Sequence, residues 1–68
     1  MQRTPVKSSN IASFGWENGT LEVEFKSGAV YQYHDVPRET FERFANATSF
    51  GKHFGDHIKG SFNFKRVK

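Results

Sequence analysis

The chain has no cysteine, only two prolines, and no long apolar run among its 68 residues. Without cysteine there are no disulfides and no thiolate-held zinc or iron–sulfur site, and a reducing, cytoplasmic home is expected. Nothing approaches the roughly 20 apolar residues that cross a bilayer, and no signal-peptide stretch follows Met1, so a soluble chain without a membrane partner is expected. Length allows one domain. A chain this small buries only about 60% of the surface its unfolded form exposes, which leaves a thin core. What is abundant is aromatic side chain: one Trp, two Tyr and eight Phe. Each buries about 150–250 Å², so the rings are expected to do the work of the missing staples.

A net charge of +3 is modest, and its distribution says more than its size. Between Glu17 and Glu42, six acids (Glu17, Glu22, Glu24, Asp35, Glu39, Glu42) outnumber Lys26 and Arg38. From Arg43 onward the balance inverts. Arg43, Lys52, Lys59, Lys65, Arg66 and Lys68 face Asp56 alone. A base-rich half of this kind can follow a phosphate backbone.

Residues 1–8 lack periodicity and read as a flexible leader, residues 9–64 as the single domain, and residues 65–68 as a basic tail. Asn18-Gly19 is the strongest short hairpin signal, because a type I′ turn needs positive φ at both central positions. A two-residue turn there pairs Glu17 with Thr20, Trp16 with Leu21 and Phe14 with Val23. It aligns Ala12, Phe14 and Trp16 with Leu21, Val23 and Phe25 on one face, and leaves Ser13, Glu22 and Glu24 toward water. The next turn, Lys26-Ser27-Gly28, admits two registers. A two-residue turn points Val30 and Gln32 inward; a three-residue turn closed by Gly28 points Tyr31 and Tyr33 inward. The second is preferred, since an unpartnered buried Gln is costly while a tyrosine buries its ring and keeps its hydroxyl at the rim.

The period then changes to that of a helix. Pro37 suits a first helical position, and Phe41, Phe44, Ala45 and Thr48 recur on one stripe, with Glu39 and Arg43 as an i,i+4 pair. Ser49 is a suitable N-cap for a second helix carrying Phe50, Phe54 and Ile58, ended by Gly60. Phe62-Asn63-Phe64 fits a short closing strand or a flap. The fold class is therefore α+β: a three-stranded antiparallel meander followed by two α-helices packed on one face.

These features, in this order, resemble the KTSC family, known as a C-terminal extension of some lysyl-tRNA synthetases and as small stand-alone bacterial proteins. The resemblance is carried by Val6-Lys7-Ser8-Ser9-Asn10-Ile11, Gly15-Trp16, Leu21 to Phe25, the Tyr-x-Tyr within Gly28 to Tyr33, Val36-Pro37, and Ala47 to Phe54. Trp16 stands where the family commonly has tyrosine. The resemblance implies an α+β fold and, by the synthetase association, a role with RNA. It carries over no established activity.

Several groups of residues are candidates for function. Tyr31 and Tyr33 are candidate stacking platforms for bases, or core residues opposite Val23 and Leu21. Ser49, Gly51 and Lys52 offer a cap, close backbone approach and charge where the second helix begins, although this is no P-loop, whose earlier glycine would fall at Asn46. Gly51 and Gly55 also read as small residues that let the first helix pack closely. With Arg43, Lys59, Lys65, Arg66 and Lys68, they form the expected nucleic-acid-binding set. His53 and His57 have a chelating spacing but lack a clear third ligand beyond His34 or Asp56, so no metal or other cofactor is expected. No nucleophile elbow or carboxylate pair in a cleft is present, so no catalytic residue is expected. The reading is a small non-enzymatic module that binds RNA or single-stranded nucleic acid. The alternative is a protein-interaction module, an adaptor or inhibitor of a larger machine, contacting its partner through Glu17, Glu22, Glu24, Trp16 or Phe62.

Overall fold

The computed structural model describes all residues from Met1 to Lys68. Five strands form one antiparallel sheet in sequence order: β1 (Thr4–Pro5), β2 (Ile11–Glu17), β3 (Thr20–Phe25), β4 (Val30–Tyr33) and β5 (Phe64–Arg66). Between β4 and β5 lie α1 (Arg38–Ala45) and α2 (Phe50–His53), the latter running directly into a π-helical turn, Phe54–Ile58. The expected three-stranded meander is thus the centre of a five-stranded sheet. The segment read as a leader supplies β1, and β5 starts at Phe64, not Phe62, taking in Lys65 and Arg66 from the segment read as a tail. Strands of two and three residues carry no detectable alternation of their own; backbone pairing to longer neighbours defines them.

The central register follows the expected turns. Asn18 and Gly19 both have positive φ (49° and 86°), and Glu17 pairs with Thr20, Trp16 with Leu21 and Phe14 with Val23. The second turn is the three-residue form: Phe25 N–H donates to Ala29 O at 2.9 Å, and Gly28 adopts φ 98°. Tyr31 then lies opposite Val23 and Tyr33 opposite Leu21, so both tyrosines face the helices. One detail differs. A bulge between Ile11 and Ser13 places Ile11, not Ala12, opposite Phe25, and this sends the larger Ile11 side chain into the core at 0% exposure.

The core is an aromatic cluster that ties the sheet to the helices. Phe14 lies 4.6 Å from Phe44, 5.2 Å from Phe50 and 6.1 Å from Phe41 between ring centroids. Trp16 stacks on Phe41 at 6.0 Å, and its indole N–H donates to Val36 O at 2.9 Å. Pro37 proves to be the N-cap of α1, one position before the helix, where its missing N–H costs nothing. The helix stops at Ala45, because the Asn46 side chain donates to Glu42 O at 2.8 Å, and Thr48 is left exposed outside the expected stripe.

The opposite face of the sheet departs most from expectation. Ser13 and Glu22 do not face water; they are buried at 6% and 7% exposure. Gln2 and Arg3 cross over Gly15, so closely that a Cβ there would clash with Gln2 O. The Arg3 guanidinium donates to Ser13 Oγ and Glu22, Gln32 donates to Glu22 at 2.8 Å, and Ser13 donates to Glu24 at 2.8 Å. Burial alone would raise the Glu22 pKa. The hydrogen bonds from Gln32 and Arg3, with the Arg3 charge, outweigh it and hold the carboxyl below its ordinary 4.5.

This packing makes stability depend on pH in two ways. Because the folded pKa of Glu22 is depressed, its contribution is present above about pH 4.5 and is lost as pH falls through the folded value. Arg3→Ala should cost about 1–3 kcal/mol in urea melts at pH 7, as expected when a buried acceptor loses its charged partner, and the gap to wild type should shrink by pH 3. A pH-independent gap would show that Arg3 acts through packing alone. Burial, followed by the neighbouring His57, lowers the pKa of His53, whose ring lies 4.4 Å from that of His57 and 6.0 Å from Phe44. Protonation therefore works against folding, so stability is full above about pH 6.5 and declines as pH falls below it. Thermal melts should show a lower Tm at pH 5 than at pH 7, and His53→Gln should flatten that slope.

Candidate nucleic-acid interface

The antiparallel order brings one end of every long strand together. β2 begins at Ile11 beside the end of β3 at Phe25, the start of β4 at Val30 and the end of β5 at Arg66. At this end the helical layer does not close over the sheet, leaving an open cavity of about 620 Å³. Its sheet side is lined by Phe25, Tyr31, Tyr33 and Phe64, and its helix side by Gly51, Phe54 and Gly55. The rings form a continuous surface. Tyr31 and Tyr33 stack at 6.5 Å, and Phe64 tilts against both at 5.6 and 5.5 Å. Tyr33 is buried, and burial together with its neighbour Tyr31 pushes its hydroxyl above the usual pKa. Tyr31 is half-buried, and Phe64 is 57% exposed. Facing the helices therefore takes Tyr33 out of reach of a ligand but leaves Tyr31 partly accessible.

Cations gather at the same end. Lys59 lines the cavity. Arg66 lies opposite Tyr31, and cross-strand partners share a face. Lys26 adjoins Phe25 at the β3–β4 turn, its N–H donating to Asn10 O at 2.8 Å, and Lys68 O accepts from Val30 N at 2.9 Å. Lys7 lies in the connection from β1 to β2 at this end. None of these five is in an ion pair. Lys65 sits opposite Gln32 on the other face of the sheet.

The remaining expected residues are otherwise engaged. Arg43 is bound to Glu39 at 2.6 Å, and Lys52 to Asp56 at 2.8 Å, each four residues apart on its helix. The Lys52–Asp56 contact raises the pKa of the lysine and lowers that of the aspartate. Ser49 caps α2 by accepting from Lys52 N at 3.4 Å, so the serine and the lysine both have partners within the chain. Gly51 does not serve close packing against α1, for a Cβ on it would meet only the Asn10 amide at 3.6 Å, and one on Gly55 would meet nothing within 4 Å. His53 and His57 adjoin each other, and no three His, Cys, Asp or Glu side chains gather where they could hold a metal ion. No helix is long and apolar enough to cross a membrane.

The surface expected for a protein partner is largely spent internally. Arg3 covers Glu22 and approaches Glu24, Trp16 is bonded to Val36, and Phe62 packs against the core. Sequence reasoning missed Lys7, Lys26, Asn10, Phe25 and Phe64 as neighbours of one cavity. The signal was available only through topology, since the two hairpin turns and the closing strand return these residues to one end.

Comparison with known proteins agrees with this architecture. The KTSC domain model matches residues 7–62. A lysine–tRNA ligase of Nostoc punctiforme is 43% identical over 63 residues, covering 90% of this chain but 11% of the ligase. The chain thus spans about a tenth of that relative's length. An uncharacterized protein of Stutzerimonas stutzeri is 43% identical over 61 residues, covering 87% of this chain and 86% of its own length. The crystal structure of a KTSC domain protein from Yersinia pestis superposes with a TM-score of 0.95 at 39% identity, covering 98% of this chain and 97% of that one. With the family model spanning most of its length and a relative of its own size at 43% identity, the chain belongs to the KTSC domain family.

Proposed function

We propose that this domain is a non-enzymatic module that binds single-stranded nucleic acid, RNA foremost, at the aromatic cavity. One observation carries the reading: the exposed Phe64 and the half-buried Tyr31 line one cavity together with Lys59, which is in no ion pair. Unstacked bases lie on aromatic faces with a gain of about 1–3 kcal/mol each, and lysines and arginines beside them neutralise the phosphates between. Tyr31 and Phe64 supply the rings, and Lys26, Lys59, Arg66 and Lys68 the charge. Occurrence of the same segment within lysine–tRNA ligases, which by name act with tRNA, supports RNA over DNA and a cytoplasmic setting. Arg43 and Lys52 have a lesser part, since neither lines the cavity and each already has a carboxylate partner. Of the acids a protein partner would use, Arg3 engages Glu22 and approaches Glu24, and Glu17 alone is left exposed without an ion pair.

Fluorescence anisotropy with labelled single-stranded RNA and DNA tests the proposal. Binding should have a Kd on the order of 10 µM at low salt and weaken as salt rises. Lys59→Ala and Arg66→Ala should each lower the slope of log K against log salt by about 0.7, the value for one lost contact to a single strand. Phe64→Ala should weaken binding about tenfold or more while leaving the fold intact, because the ring is largely exposed. Absence of binding at low salt, or variants that bind like wild type, overturns the reading.

A further inference from the structure

The helix side of the cavity is built from bare backbone. Gly51 and Gly55 stand one turn apart and both line the space. Glycine inside a helix costs stability relative to alanine, so its presence needs a reason. At Gly51 a Cβ would make only an ordinary van der Waals contact, 3.6 Å from the Asn10 amide, so no clash requires the glycine. Gly55 is freer still: its φ is not in the left-handed region, and a Cβ would meet nothing within 4 Å. Gly55 is nonetheless a lining residue of the cavity, and a side chain there would enter open space. The chain around it, Phe54–Ile58, is also π-helical, a rare departure from α geometry that occurs frequently at functional sites.

Polar groups at the edges narrow the ligand further. The Asn10 side-chain amide lines the cavity and makes no hydrogen bond within the protein, although its backbone N–H bonds Ser8 and its backbone C=O bonds Lys26. Asn10 therefore presents an adjacent donor and acceptor to whatever enters. That pair complements the N6 amino group and N7 of adenine, the base most often read by asparagine. Lys59, on the same rim, has no carboxylate partner. A volume of about 620 Å³ lies within the range of small-molecule sites and admits one purine nucleotide.

Building on the nucleic-acid reading above, we infer that the cavity takes a single splayed-out adenine nucleotide. Its base lies between the rings of Tyr31 and Phe64 and the Gly51–Gly55 backbone. The Asn10 amide reads its edge, and Lys59 meets its phosphate. Gly55 is thus a specificity-determining residue, kept small for the base and not for the fold.

The experiment uses the full chain with eight-nucleotide RNAs of A, U or C, each followed by anisotropy, together with thermal melts of every variant. Oligo(A) should bind about tenfold more tightly than oligo(U) or oligo(C), and Asn10→Ala should reduce that preference to near unity. Gly55→Ala should raise Tm, since alanine is the better helix former, while weakening oligo(A) binding about tenfold. The opposed signs separate a ligand role from a structural one. Equal affinity for the three oligomers, or a Gly55→Ala variant that binds like wild type, overturns this inference while leaving the binding module standing. Failure of all three oligomers to bind overturns both.

Discussion

The contact between Phe14 and Phe44, 4.6 Å between ring centroids, is the joint on which the rest of the domain depends. Phe14 belongs to the sheet and Phe44 to α1, and Phe44 reaches Phe50 at 5.9 Å and Phe54 at 6.3 Å. Phe54 in turn meets Phe25 at 5.4 Å and Tyr33 at 5.3 Å, returning to the sheet on β3 and β4. In a cysteine-free chain of this length no covalent link closes that circuit. Edge-to-face aromatic pairs, worth about 0.5–1.5 kcal/mol each beyond their buried area, hold the two layers at one spacing. Helix placement and the width of the cavity follow from that spacing.

The same circuit decides where the site lies. Phe14, Phe44 and Phe50 fill the space under α1, where the layers close. Toward the start of β2 the helix turns its two glycines to the sheet, and Tyr31 and Phe64 have no large side chain opposite them. The aromatic content of the sequence therefore divides in two, most of it consumed by the core and a remainder left at the open end. Charge divides along the same line. Arg3, Arg38, Arg43 and Lys52 are matched with carboxylates; of the six that are not, Lys65 lies on the other face of the sheet and Lys7, Lys26, Lys59, Arg66 and Lys68 lie toward the cavity end.

Much of the fold was legible where local chemistry is decisive. Asn18-Gly19 and Gly28 each set a register, because Gly and Asn tolerate the positive φ that these turns demand and most side chains resist it. The direction of Tyr31 and Tyr33 followed from that register. β1 and β5 were not legible, since two or three residues cannot display a period. Nor was the fate of Glu22. Its alternation with Val23 reads as solvent-facing, and only the crossing of Gln2 and Arg3 over Gly15 buries it. The site was legible in kind but not in membership. Basic residues and aromatics were both apparent, yet Lys7, Lys26 and Phe64 are far apart in sequence and meet only through the sheet order.

The two faces of the sheet manage charge in opposite ways, and this separates structure from function within one small domain. On the outer face Glu22 and Glu24 have no cation on the neighbouring central strands, and Arg3 comes from the chain terminus to satisfy them. Burying a carboxylate without a partner is costly, so this demand is met inside the molecule. On the helix-facing side the imbalance runs the other way. Lys59 and Arg66 pair with no Asp or Glu side chain, Arg66 Nε donating only to Lys68 O at 3.2 Å, and both remain exposed to water. A partner that brings negative charge and a flat apolar ring satisfies both the cations and the rings at once. The proposed nucleotide has that combination, whereas a simple anion has only half of it.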